Sequence, residues 1–279
     1  MGNNGQGTGA SLNPGSSATG IRTRPRPRLG VFKLASCDGC QLALLDCEDA
    51  LLAVAEALEI IHFPEASSNM AEEGPFDIAL VEGSISAPEH LEQIRAIRER
   101  SGVLVTIGAC ATSGGLQALR NFGELDDFAR PIYARPQDLS TLETSTPIAD
   151  HVKVDFELRG CPIDKGQLLE IVTALLKKRR PEIRNESVCL DCKRRGNVCV
   201  MVTRGLPCLG PVTVTGCGAI CPAMGRGCYG CFGPKEGANT RSLAQRMLDL
   251  GITKDEVRRA FRFITGYSEV FREESLRHE

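Results

Sequence analysis

The sequence predicts an α/β fold, an open parallel sheet with helices on its faces, followed by an irregular cysteine-rich segment. Two observations carry this. From Leu29 to about Arg180, short apolar runs alternate with helical stretches, the pattern of strands covered on both faces by crossover helices. Beyond Pro181 the alternation stops, and residues 187–234 hold eight cysteines among many Gly and Pro. Such a segment has little apolar surface to bury, so metal ligation is expected to supply its folding energy.

In chain order, residues 1–28 are rich in Gly, Ser, Asn and Pro, with four Arg and no acid, and are expected to form a disordered tail. The tail has no apolar core and no paired arginines, so export is not expected, although an acid-poor, Arg-bearing composition also suits organelle targeting. The first domain is expected to span 29–182. Its strands are LGVFKLA at 29–35, EIIHF at 59–63, DIALVEG at 77–83, VLVTIGA at 103–109 and HVKVDFELRG at 151–160. An amphipathic helix is expected from Gln41 to Leu58, a charged one from Pro88 to Arg100 and a third from Lys165 to Arg180. The second domain, 183–279, carries the eight cysteines and then terminal helices. One of these opens with Thr253 and Glu256 in capping-box spacing and runs to about Ile264.

Composition narrows the function classes. Thirteen cysteines in 279 residues are odd in number and too dilute for a disulfide scaffold, and point to a cytosolic metalloprotein. The longest apolar stretch, LLAVAEAL at 51–58, is far shorter than the roughly 20 residues that span a bilayer. A net charge of −2 provides no broad footprint for nucleic acid. The basic runs at 22–28 and 177–184 read as a solvated tail and a helix end. GTGAS at 7–11 follows no strand and so lacks the context of a dinucleotide site.

Four cysteines of the first domain stand where strands end: Cys37 and Cys40 in SCDGCQ, Cys110 in VTIGAC and Cys161 in LRGCP. In a parallel sheet all strand C-termini share one edge, where ligands bind. Four thiolates there match the requirement of a cubane cluster. Ser36, Gly39, Gly108 and Gly160 are small neighbours that admit backbone N–H groups to cluster sulfurs. Cys47 is expected to share a helical face with Cys40 and to pack in the core rather than ligate.

The second domain carries Cys189, Cys192, Cys199 and Cys208, then Cys217, Cys221, Cys228 and Cys231, two tetrads. Zinc competes with iron for such sets. The irregular spacings, the Cys-Pro pairs at 161–162 and 221–222, and the distance of all four histidines from the segment favour iron.

SCDGCQ, VEGSIS at 81–86, TIGAC, RGCP and GCGAICPAMGRGCYGCFGP resemble the small subunit of nickel-iron hydrogenases, over about Leu29 to Pro234. Within that family the chain is most similar to the NAD(P)-linked, sulfhydrogenase-type delta subunits. The resemblance implies a flavodoxin-like first domain whose Cys37, Cys40, Cys110 and Cys161 hold a proximal 4Fe-4S cluster facing the large subunit. It also implies a distal 4Fe-4S cluster on Cys189, Cys192, Cys199 and Cys208, and a medial one on Cys217, Cys221, Cys228 and Cys231. Cys189 stands where the membrane-bound branch has His, and Cys221 where its medial cluster has Pro, so three full cubanes are implied. No extra cysteine accompanies Cys37, Cys40 or Cys110, so oxygen tolerance by supernumerary thiols is not indicated.

Implied partners are a nickel-iron large subunit and flavin/NAD(P)-binding and ferredoxin-like subunits, in the cytoplasm, with no catalytic residue in this chain. Glu82 is expected to be a structural carboxylate or to line the large-subunit interface or a proton path. Competing readings are the related cluster subunit of complex I, which donates to quinone, and a zinc-stabilised nucleic-acid module suggested by CLDCKRRGNVC. The former has adjacent cysteines in its first motif and lacks the eight-cysteine extension.

Overall fold

Apolar side chains on both faces of four consecutive runs leave those runs only one place to go, the interior of a layered sheet. In the computed structural model, which describes residues 26–68 and 74–279, they form β1 (Arg28–Lys33), β2 (Glu59–His62), β3 (Phe76–Glu82) and β4 (Ser101–Ile107), with the short β5 (Phe156–Leu158). All pairings are parallel, in the order β2-β1-β3-β4-β5. Most of the expected tail, residues 1–25, lies outside the described residues; β1 begins at Arg28, one residue before the expected boundary.

The two faces divide the strand residues by alternation. Leu29, Val31, Ile78, Leu80, Val105 and Ile107 pack with Leu44 of α1 (Gly39–Leu45) and with Leu168, Ile171 and Val172 of α6 (Lys165–Leu176). Phe32, Ala79, Val81 and Leu104 turn the other way, onto Ile94 and Ile97 of α3 (Pro88–Arg100). Ile94 is fully buried, a contribution of about 1.5–3 kcal/mol from one side chain.

Three expected elements differ. The helix anticipated over 41–58 is two helices, α1 and α2 (Asp49–Ala57), separated at Asp46–Glu48. Glu48 takes a positive φ of 48°, and Lys165 Nζ donates to the Asp46 carbonyl at 2.7 Å, so the backbone group released by the break is satisfied from α6. The strand anticipated over 151–160 shrinks to Phe156–Leu158. Val152 and Val154, which made the alternation look extended, pack on the α3 face instead. The Asp155 carboxylate meanwhile accepts Leu104 N–H (2.9 Å) and pairs with Arg98 (2.5 Å). The third helix stops at Leu176 rather than Arg180: Lys178 adopts φ 52°, and Arg179 folds back to hold Glu170 with both amino groups at 2.6 and 2.7 Å.

Between β4 and β5 run α4 (Gly108–Ser113) and α5 (Leu125–Ala129). The second half contributes α7 (Val188–Arg194), α8 (Val200–Arg204) and α9 (Ile220–Ala223), short helices around the cysteines. Three longer ones follow: α10 (Thr240–Asp249), α11 (Lys254–Phe261) and α12 (Glu269–Leu276). Met247, Val257, Phe261 and Phe271 make their common core. The predicted capping box is present, with Thr253 Oγ1 accepting Glu256 N–H at 3.2 Å and Glu256 Oε2 accepting Thr253 N–H at 2.8 Å. No helix among the described residues is long and apolar enough to cross a membrane.

Candidate metal centres

Parallel register aligns the strand ends: Lys33 pairs with Glu82, Glu82 with Ile107, and Ile107 with Leu158. Cys37, Cys110 and Cys161 follow three of these ends by a few residues each, so the sheet itself brings them together. Cys40 joins them from the first turn of α1. Burial pushes the Cys40 thiol far up, the Glu82 carboxylate and the Cys161 and Cys110 thiols adding to it. Burial likewise lifts Cys110 to about 11, with Gln117 opposing and Cys161 and Cys37 adding, and raises Cys161, where Cys37 and Glu82 add. The four thiols therefore feel one another in a site where deprotonation requires neighbouring positive charge.

Space around the sulfurs is kept by missing side chains. At Gly108, φ +87°, a Cβ would run into Cys40 Sγ; at Gly115 it would lie 2.6 Å from Cys110 Sγ. Four convergent thiols with room beside them fit an iron-sulfur cluster by donor type and number. Among the described residues, no three Cys, His, Asp or Glu side chains come close enough together to hold a single metal ion.

Glu82 closes the site from below. It is almost fully buried at the end of the central strand, and its two carboxylate oxygens accept the N–H groups of Cys40 and Gln41 at 3.2 Å each. Burial raises its pKa and these two donors oppose the rise. It thus anchors the first turn of α1 from the buried end of the central strand. Gln117, which sequence reasoning missed, accepts from Cys110 Sγ at 3.5 Å while donating to the Ala35 carbonyl at 2.9 Å, joining the β1 and β4 loops. Its only sequence signal is proximity to Cys110. Cys47 lies beyond the end of α1, so it does not share a helical face with Cys40; it is buried in the core, its thiol donating to Ala43 O at 3.4 Å.

The other eight thiols fall into neighbouring groups. Burial lifts Cys189 to about 11, with Cys208, Cys192 and Cys199 adding. Burial lifts Cys231 to about 12, with Cys217, Cys161 and Cys221 adding. Two contacts link the groups. Cys161 lies beside Cys231, its backbone lowering and its thiol raising the Cys231 pKa, and the Cys228 N–H donates to Cys208 Sγ at 3.2 Å. Cys228 is itself pushed far up by burial, with Cys208 and Cys231 both adding. Gly210 holds the second junction open, since a Cβ there would meet Cys189 Sγ at 3.4 Å and Cys208 Sγ at 3.5 Å. Cys231 thus neighbours Cys161, and Cys228 neighbours Cys208.

The family described as "NADH ubiquinone oxidoreductase, 20 Kd subunit" matches residues 37–175. The chain is 37% identical to sulfhydrogenase 2 subunit delta of Pyrococcus furiosus, over 84% of this chain and 98% of that protein. It is 30% identical to a subunit of the F420-non-reducing hydrogenase vhu of Methanocaldococcus jannaschii, over 80% of this chain and 84% of that one. A chain of an NAD+-reducing [NiFe]-hydrogenase crystal structure superposes with a TM-score of 0.53 at 31% identity, covering 57% of this chain and 96% of its own. With a parallel sheet, a cysteine-rich second half and similarity over 84% of its length, the chain belongs to the small-subunit family of the nickel-iron hydrogenases.

Proposed function

We propose that this chain is the electron-relay subunit of a hydrogenase, holding three 4Fe-4S clusters. Cys37, Cys40, Cys110 and Cys161 would hold the proximal one, Cys217, Cys221, Cys228 and Cys231 the medial one, and Cys189, Cys192, Cys199 and Cys208 the distal one. The observation that carries this reading is the succession of contacts from Cys161 to Cys231 and from Cys228 to Cys208, a continuous path of sulfur ligands through the chain. When bound, the clusters supply one-electron carriers at low potential.

The chain's own residues do the rest. Glu82 fixes the α1 turn that presents Cys40, Gln117 ties Cys110 to the β1 loop, and the Gly230 N–H donates to Cys228 Sγ at 3.5 Å. Such donors to sulfur stabilise thiolate charge and tune the potential. Leu42 on α1 and Leu116, Phe128, Ile132 and Tyr133 beyond Cys110 are exposed apolar side chains. An exposed apolar surface of this kind suits a large obligate partner, here the nickel-iron catalytic subunit. Further partners in this reading bind flavin and NAD(P) or carry ferredoxin-like clusters, as the NAD+-reducing relative suggests. All thirteen cysteines are free, which suits a reducing, cytoplasmic setting.

The test is anaerobic purification with the large subunit. About twelve irons per copy of this chain are expected, four per tetrad. Cys110→Ser should block hydrogen-dependent dye reduction while the second-half clusters still assemble. Two zinc ions with about four irons would remove the medial and distal assignments.

A further inference from the structure

The second-half thiols are not equally deep. Cys208 and Cys228 are buried, Cys189, Cys192, Cys217, Cys221 and Cys231 are half-buried, and Cys199 is exposed, as is Cys37 of the first tetrad. Among the second-half thiols, Cys199 at the turn into α8 is therefore nearest solvent, followed by the half-buried ones, among them those of α7 and α9. Two arginines join these pieces into one surface. Arg195 Nη1 donates to the Gly218 carbonyl beside Cys217, and Arg204 Nη1 donates to the Gly225 carbonyl at 3.2 Å, next to Met224 and Arg226. Around the same junctions four aliphatic side chains face solvent: Val198 (68% exposed), Val202 (64%), Ile220 (54%) and Met224 (74%).

The charge of this face departs from that of the chain. The whole protein carries −2, yet residues 192–235 contain six Lys and Arg and no Asp or Glu. Arg194 is engaged by Glu186 and Asp191 at its edge. Lys193, Arg195, Arg204 and Arg226 are exposed, and none of them forms an ion pair among the described residues. An aliphatic centre within a cationic rim, beside the exposed Cys199, has the make-up of a transient redox interface: apolar contact brings the centres close and charge steers the encounter.

We propose that the α7–α9 face is the docking surface for an acidic electron-carrier protein of the ferredoxin type. The proposal rests on the relay reading above and adds the partner's charge. Four aliphatic side chains against a single exposed aromatic near α9, Tyr229 (43% exposed), give bases little platform on which to stack and favour a protein over a nucleic acid.

The experiment uses the complex of this chain with its large subunit, with hydrogen as reductant. Acceptors are an acidic plant-type ferredoxin, a basic cytochrome c and, as a small dye, benzyl viologen. For the complex, kcat/KM toward ferredoxin should fall at least about tenfold as salt rises from low to about 0.5 M, and that toward cytochrome c should not fall. The double variant Lys193→Glu/Arg226→Glu alters two side chains that form no ion pair, and should lower the low-salt ferredoxin value about tenfold and flatten its salt slope. Because the readout is the slope, a change in cluster potential cannot imitate it. A second variant, Val198→Ser/Met224→Ser, should raise KM for ferredoxin without altering the slope.

Viologen reduction with no salt dependence toward ferredoxin would overturn the docking proposal and leave the relay intact; loss of viologen reduction in the unaltered complex would instead overturn the relay. Binding of a labelled DNA or RNA oligonucleotide that is lost in Lys193→Glu/Arg226→Glu, with ferredoxin kinetics insensitive to salt, would also overturn it.

Discussion

Replacing Gly108 by alanine tests the proximal site with a single methyl group. Gly108 sits where β4 turns into α4 at φ +87°, and a Cβ there would collide with Cys40 Sγ and lie 3.6 Å from the Gly160 carbonyl oxygen. An L-residue in that left-handed region costs about 1–2 kcal/mol, and overpacking a filled site adds about 1–3 kcal/mol. The sum, about 2–5 kcal/mol, is below the roughly 5–15 kcal/mol of a whole domain, so the chain stays folded and the loss falls on the position of the Cys40 sulfur.

Gly251→Ala provides the control: φ is +86° and nothing lies within 4 Å of the added carbon, so only the backbone cost remains. Both variants would be purified with the large subunit and measured for iron, for hydrogen-dependent viologen reduction and for denaturant unfolding. Gly108→Ala should lose about four of about twelve irons and at least about tenfold in rate. Gly251→Ala should keep both and lose only about 1–2 kcal/mol of stability. Full iron and rate in Gly108→Ala would refute the placement of Cys40 in the cluster shell.

Cys47→Ala should leave iron and dye reduction unchanged and cost about 1–2 kcal/mol by removing a packed sulfur; a loss of iron would make Cys47 a ligand. Asp155 is pushed up by burial, but the Leu104 N–H and Arg98 outweigh this and hold its carboxyl below its usual range. A depressed acid stabilises above its unfolded value, about 3.9, and loses that contribution as pH falls through its folded one. Asp155→Asn should therefore lower unfolding free energy by about 1–2 kcal/mol at pH 7, with the difference closing below about pH 4 in urea titrations; a pH-independent gap would refute the charged role. Thr253→Ala removes the capping box of α11 and should cost about 0.5–2 kcal/mol, read as a lower denaturation midpoint with iron unchanged.

Local chemistry made part of this molecule legible from residues alone. Strands buried on both faces reveal themselves as apolar runs, and the α3 boundaries and the Thr253–Glu256 cap are written in Pro88 and in a three-residue spacing. The first tetrad was legible for a topological reason: parallel strands deliver everything that follows them to one edge, so Cys37, Cys40, Cys110 and Cys161 had nowhere else to meet.

Tertiary structure decided what local pattern could not. VKVDFEL alternates like a strand, yet Val152 and Val154 were claimed by the α3 core because Arg98 and Leu104 hold Asp155 at the end of the sheet. The long helix over 41–58 breaks where a lysine more than a hundred residues away donates to the freed carbonyl, a partner the local pattern does not contain. Which of the second-half thiols lies nearest the first tetrad is likewise invisible in their spacing. It follows from Cys161 lying beside Cys231 and from the Cys228 amide reaching Cys208, approaches between distant segments that form only when the whole chain has packed.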